Sequence, residues 1–408
     1  MALVKMMQIH DKQIKVCTFD QSYAAFQILY AQNEGRWQYA SLLKWEDLDA
    51  VMDCSVRGPV FPQNKNRLST VMGSRQEEKN QSEAAFHLNI FSSEHFKNKP
   101  VLFWIHGGGW LTGGGALPWY DGNHLAENEG IVVVTINYRI GAFGAFHTEE
   151  GPKNLGFNDI INALTWVHDN IHYFGGDPDR ITVGGQSAGA WYTVALLGHV
   201  DAHHLFNKAL LASFPGRIKP LTAPSSQQLS AQLQDYLAPK TMATATTREI
   251  LDVQNQVMAH LPPHQSSRIP TSFIPIESTQ LSKNLIDQAV EVSGGNKDVI
   301  AWVTRNEMNA FKPHGHIAGE LEKMRIAEFE QPTTALLQQF ENQGSDVHFQ
   351  IIDGGNDRLG APHCFDLPLL FGNFEQWSNA TMLEGAEDQK LKATSRQLQQ
   401  YVAQWMRA

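Results

Sequence analysis

Cysteine is scarce: Cys17, Cys54 and Cys364 are the three in a chain of 408 residues. An odd count, with no paired spacing and no metal-ligand motif, excludes a disulfide framework and fits a reducing compartment. Positive charge is also in deficit. Lys and Arg number 32 against 42 Asp and Glu, a formal net charge of −10, which argues against nucleic acid or an anionic membrane as the main partner. Long apolar runs are missing too, none approaching the roughly 18 residues of a membrane span. The first ten residues, Met1 to His10, lack the apolar core and small-residue cleavage site of an export signal. The expectation is a cytoplasmic protein with neither nucleic acid nor membrane as a partner. Asn80-Gln81-Ser82 and Asn379-Ala380-Thr381 match the glycosylation pattern, but without an export signal they read as chance matches.

What is present is apolar and periodic. Hydrophobic residues make up 42% of the chain, ample for a sizeable core. Residues 7–19 alternate well enough to predict an antiparallel hairpin turning near Asp11-Lys12, and Phe86 to Phe91 reads as a strand. Val101 to Ile105, Ile131 to Asn137, Ala209 to Ala212, Asp298 to Val303 and Val347 to Ile352 follow as further strands. The first is a continuous apolar run of the kind buried on both faces of a central strand, and the second reads as another buried strand. Helical spacing runs from Asn158 to Phe174 and stops at Gly175-Gly176-Asp177-Pro178, and Asp388 to Met406 reads as an amphipathic C-terminal helix. Asn64 to Ser82 is polar and charged, as a surface loop would be. Residues 215–290 contain Pro215, Pro220, Pro224, Pro262 and Pro263, many glutamines and serines, and only patchy helical pattern. They read as a cap-like insertion over the sheet's active edge. The whole, residues 1–408, is read as one α/β domain: a central, mostly parallel sheet flanked by helices.

Two stretches carry chemistry. Ile181 to Val183 is a short β-branched run that breaks into Gly184-Gly185-Gln186-Ser187-Ala188-Gly189, after which Ala190 to Leu197 reads as a buried helix. In a G-x-S-x-G strand-to-helix turn the glycines remove the collisions that side chains would cause, so the Ser187 hydroxyl stands exposed at the sheet's carboxyl end. The competing reading is a glycine-rich turn whose serine merely caps the helix. The second stretch is His106-Gly107-Gly108-Gly109-Trp110, directly after the buried Val101 to Ile105 run. Glycines in that place let backbone N–H groups approach a ligand, as in an oxyanion hole. Trp110, Leu111 and Trp119 are candidate pocket residues beside it, with His106 holding the loop.

With these motifs in order, the chain resembles the type B carboxylesterases, an α/β-hydrolase family that includes cholinesterases and bacterial p-nitrobenzyl esterases. Ile28 to Ala31 with Arg36-Trp37, the His106 to Trp110 loop, Tyr120-Asp121-Gly122 and Asn137 to Gly141 resemble successive family blocks. So do Asn154 to Asp159, Phe174 to Pro178, the elbow at Gly185 to Ala190, and Gly360-Ala361-Pro362-His363 with Leu367-Pro368 and Phe371-Gly372. The resemblance implies Ser187 as nucleophile, His363 as base, Glu307 as the acid, and N–H groups of Gly108, Gly109 and Ala188 as the oxyanion hole. The order Ser, Glu, His is that of the fold. The chain departs from the family in three places. It is shorter after Ser187, Met308 stands where a glycine follows the acid, and Ala84-Ala85 replace an N-terminal disulfide cysteine. Asp353 and Asp357, also following a strand, are the reserve acids, although both sit in turn-forming sequence.

The implied activity is hydrolysis of small-to-medium carboxylic esters through an acyl-enzyme, with no metal and no organic cofactor. Two alternatives stand beside it: a non-catalytic binding or adhesion module, and the same machinery acting on amides, carbamates or thioesters. The intact Ser187, His363 and acid candidates separate the first of these from the enzyme reading. Natural substrate and oligomeric state are not written in the sequence.

Overall fold

The computed structural model describes residues 3–147, 151–260, 267, 269, 272–311 and 318–408. Eleven strands form one sheet. In chain order they are β1 (Leu3–Ile9), β2 (Lys12–Thr18), β3 (Tyr23–Leu29), β4 (Val51–Cys54), β5 (His87–Ser92), β6 (Lys99–Ile105), β7 (Val132–Ile136), β8 (Gly176–Gln186), β9 (Lys208–Ala212), β10 (Asp298–Thr304) and β11 (Val347–Ile352). Their spatial order is β1-β2-β3-β5-β7-β6-β8-β9-β10-β11, with β4 beside β2. Pairing is antiparallel from β1 to β7 and parallel from β7 to β11. The expected α/β-hydrolase architecture, a mostly parallel sheet after an antiparallel start, is what the chain forms.

The central strands explain why. Val101, Phe103 and Ile105 of β6 enter one apolar cluster, together with Val134 of β7 and Val183 of β8. Leu102 and Trp104 enter another, with Val133, Leu210, Ile300 and Trp302. Successive strand residues point to opposite faces, so a run that is apolar at every position is buried on both. Helix α1 (Leu155–Asn170) and helix α2 (Ala188–Leu197) cover the first face, through Ile160, Leu164, Val167 and Val194. The C-terminal helix (Asp388–Arg407) covers the second, through Leu398, Val402 and Trp405.

Several boundaries differ from the sequence reading. Helix α1 begins earlier, at Leu155, because Asn154 adopts a left-handed φ of 55° and exchanges side-chain hydrogen bonds with the Ile276 backbone. After Asn170 the helix tightens into a 3₁₀ turn, Ile171–Phe174, ending at Gly175 with φ 80°. Strand β8 extends from Gly176 to Gln186, well beyond Ile181–Val183, since β6 and β9 pair with it on both sides. Helices Ala223–Leu237 and Thr247–His260 lie within 215–290, and Leu285–Ser293 begins there and runs past its end. Leu229, Leu233 and Leu237 of the first pack against Ile250, Leu251 and Val257 of the second. Residues 261–266, 268, 270 and 271 of that stretch lie outside the described residues. No helix among the described residues is long and apolar enough to cross a membrane.

Candidate active site

Strand β8 ends at Gln186, and Ser187 turns the chain into α2 with φ 57° and ψ −120°. A non-glycine residue with positive φ is strained and persists only where the surroundings hold it. Two contacts hold this one: the Ser187 N–H donates to the Ala212 carbonyl of β9 at 2.9 Å, and the Trp191 N–H closes onto the Ser187 carbonyl at 3.0 Å. Gly189 is required on the other side, because a Cβ there would strike the Ile105 carbonyl. Ala188 is the first residue of α2, where backbone N–H groups have no partner within the helix.

Beyond β6 the chain passes through His106 into the glycine loop. Gly108 has φ 113°, and a Cβ on it would run into the Thr112 carbonyl. The Gly108 carbonyl instead accepts the Leu111 and Thr112 N–H groups, both at 3.2 Å, which coils the loop. Its far end is clamped by the buried Gln63 carboxamide, which bonds both the N–H and the carbonyl of Gly113 at 2.8 Å. His106 does structural work, as expected. Its ring stacks on Tyr138 at 4.2 Å and its Nδ1 bonds the Gly107 carbonyl at 2.8 Å. Burial lowers its pKa to about 4, so it is neutral at pH 7.

Glu307 follows strand β10 and is wholly buried. Its Oε1 accepts the Thr304 N–H at 2.7 Å, and its Oε2 meets His363 Nδ1 at 2.5 Å. Neither reserve acid competes. Asp353 is exposed and pairs with Arg305 at 3.2 Å, and Asp357 is exposed as well. The buried His363 ring is flanked by Phe311 and Phe329, with centroids at 5.0 and 5.4 Å.

The Nδ1 contact to a carboxylate places the neutral ring's proton on Nδ1 and leaves a lone pair on Nε2. That Nε2 faces the Gln186 carboxamide at 3.1 Å, so the amide N–H donates to it. Ser187 Oγ makes no hydrogen bond to the ring. Such bonds are commonly loose without substrate and tighten when it binds. Gln186 was passed over in the sequence because it occupies a variable position of the motif. Cys364, next to His363, receives a 3.5 Å contact from the same amide, and burial holds its thiol protonated. It is a passive neighbour.

A cavity of about 320 Å³ joins these parts, bordered by Gly108, Gly109, Ser187 and His363 together with Trp110 and Trp119. Leu111 is a correction. It turns away from the cavity and is buried against Ala142, Phe143 and Leu229, because the coil at Gly108 sends neighbouring side chains in opposite directions. A second correction concerns 64–82. Asn66, Arg67, Leu68, Thr70 and Met72 line the cavity, and Val71 and Met72 are buried. Polar composition alone had suggested an open surface loop. Tyr120, Pro215, Ile218 and Ile269 complete much of the wall.

The family model for the carboxylesterase family matches residues 12–330. The chain belongs to that family. This carboxylesterase is 30% identical over 367 residues to the probable N-octanoylanthranilate hydrolase of Rhodococcus erythropolis, covering 84% of this chain and 80% of that one. It is 28% identical over 386 residues to the phenmedipham hydrolase of Pseudarthrobacter oxydans, covering 83% and 76%. A thermophilic PNB esterase structure superposes with a TM-score of 0.86 at 25% identity, over 99% of this carboxylesterase and 91% of that chain. The carboxylesterase is thus an ester hydrolase with the α/β-hydrolase fold.

Proposed function

We propose that this carboxylesterase cleaves small-to-medium carboxylic esters through an acyl-enzyme on Ser187, with His363 as general base and acid and Glu307 as its orienting carboxylate. One observation carries the reading: His363, held from behind by the buried Glu307, borders the same cavity as the strained Ser187 and the glycine loop. A serine hydroxyl is a weak nucleophile at neutral pH, so His363 Nε2 takes its proton during attack. For that, Ser187 displaces the Gln186 amide from the Nε2 lone pair. Glu307 holds the proton on Nδ1 and stabilises the imidazolium that forms. The carbonyl oxygen becomes an oxyanion held by the N–H groups of Gly108, Gly109 and Ala188, each such donor contributing roughly 3–4 kcal/mol to lowering the barrier. His363 then protonates the departing alcohol, and water repeats the sequence to release the acid.

The cavity volume, at the small end of ligand sites, supports compact substrates. Residues 215–290 act, on this reading, as a cap within a single domain, supported by Pro215, Ile218 and Ile269 in the cavity wall. The three free thiols support a cytoplasmic setting. A second reading has the same groups acting on amides or carbamates, favoured by relatives named for N-octanoylanthranilate and phenmedipham. Matched ester and amide substrates compared by kcat/KM separate the two. The direct test is turnover of p-nitrophenyl acetate and butyrate by the wild type and by Ser187→Ala. Turnover that vanishes in the variant supports the proposal, and turnover that persists contradicts it.

A further inference from the structure

Among the described residues, one kind of charge lines the cavity: Arg67 is the only permanently ionised side chain there, and no Asp or Glu joins it. That is unusual placement in a chain of net charge −10. The guanidinium also reaches the reacting end: its Nη2 lies 3.2 Å from the position that a Cβ on Gly109 would take. Around it the wall is largely apolar, with Trp110, Trp119, Ile218, Ile269 and Phe311. Apolar walls lower the local dielectric and strengthen the field of a cation beside them. Burial lowers the pKa of Arg67 from the ordinary guanidinium value, yet the group stays protonated at any working pH.

We propose that Arg67 recognises a carboxylate on the substrate, so that this enzyme prefers esters that carry a second, ionised carboxyl group to their neutral counterparts. The proposal rests on the Ser187 reading for the reacting end and adds the class of substrate. Arg67 takes part in other interactions, but a guanidinium has five N–H donors in a planar fork, and a carboxylate engages only two of them. A neutral substrate of the same size fills the apolar wall equally well but offers the cation no opposite charge. The residue keeps solvent exposure, which moderates the gain to about tenfold.

The test uses two matched pairs, one with the charge on each side of the scissile bond. They are 4-butanoyloxybenzoate against 4-butanoyloxybenzamide, and monomethyl adipate against its neutral monoamide. The ratio of kcat/KM within each pair is the readout, so a general loss of activity in a variant cancels. At low salt the wild type favours the carboxylate member of at least one pair by about tenfold. Arg67→Gln levels that ratio, Arg67→Lys keeps part of it, and added salt erodes it in the wild type. Binding of the same compounds to Ser187→Ala protein asks for the preference without turnover. Failure of the esterase reading therefore leaves this binding difference intact, whereas failure of the Arg67 proposal abolishes it. Equal ratios in both pairs, or a preference that survives Arg67→Gln, would overturn the proposal.

Discussion

Replacing Glu307 by glutamine changes no volume and removes one charge, and the structure says which way the new amide must face. Oε1 of Glu307 accepts the buried Thr304 N–H at 2.7 Å. In Glu307→Gln that N–H still needs an acceptor, so the amide oxygen stays there and its NH₂ turns toward His363. The ring must then present a lone pair at Nδ1 and carry its proton on Nε2, the tautomer that cannot deprotonate Ser187. Flipping the amide restores the tautomer but strands the Thr304 N–H, at a cost of about 1–3 kcal/mol. It also lacks the carboxylate's charge against the imidazolium, worth roughly 1–2 kcal/mol more than a neutral bond. The two together raise the barrier by about 2–5 kcal/mol, a loss of roughly 30- to 5,000-fold in kcat. The assay is kcat and KM for p-nitrophenyl butyrate on protein whose circular dichroism and Tm match the wild type. KM should move little, since Glu307 does not border the cavity. Activity within tenfold of wild type would refute the reasoning. So would an equal loss in Asp353→Asn, because that carboxylate is exposed and paired with Arg305.

Further outcomes follow from the surroundings of the base. In Gln186→Glu a carboxylate lies beside the ring nitrogen that Gln186 now contacts at 3.1 Å. A negative charge there favours imidazolium, so the acid limb of the kcat/KM profile should move to higher pH by about one unit or more; an unmoved limb would contradict the contact. Asp366 is buried with Trp302 Nε1 donating to it at 2.8 Å, and burial raises its pKa to about 6. A raised folded-state pKa means that the folded protein holds its proton longer, so stability falls as pH rises from about 4 through 6 and then levels. Asp366→Asn lacks this fall, and its stability relative to wild type should therefore improve between pH 5 and 7.5 by about 1–2 kcal/mol. Chemical denaturation at the two pH values measures it, and a constant difference would count against the buried charge.

What was legible in the sequence follows from what each residue must do locally. Val101 to Ile105 reads as a central strand because both faces of β6 are buried, leaving no polar position to confuse the pattern. Ser187 reads from its two flanking glycines, Gly185 needed against the turn itself and Gly189 against the end of β6. The partner of His363 is less legible. Glu307 lies 56 residues away along the chain, and only the folded register of β10 beside β11 brings their ends together. Asn64 to Ser82 and Leu111 failed for a shared reason. Which wall a loop residue faces depends on where the coil at Gly108 and the clamp at Gln63 send it, and neither leaves a period in the sequence.

The central claim is that Ser187 is acylated in turnover. Titration with an organophosphate such as paraoxon, read by intact mass and peptide mapping, addresses it without any assumption about substrate. The account predicts one phosphoryl adduct per chain, located on Ser187, appearing in step with loss of p-nitrophenyl butyrate hydrolysis and absent from Ser187→Ala. Full inactivation with the adduct on another residue, or hydrolysis that survives complete labelling of Ser187, would contradict it.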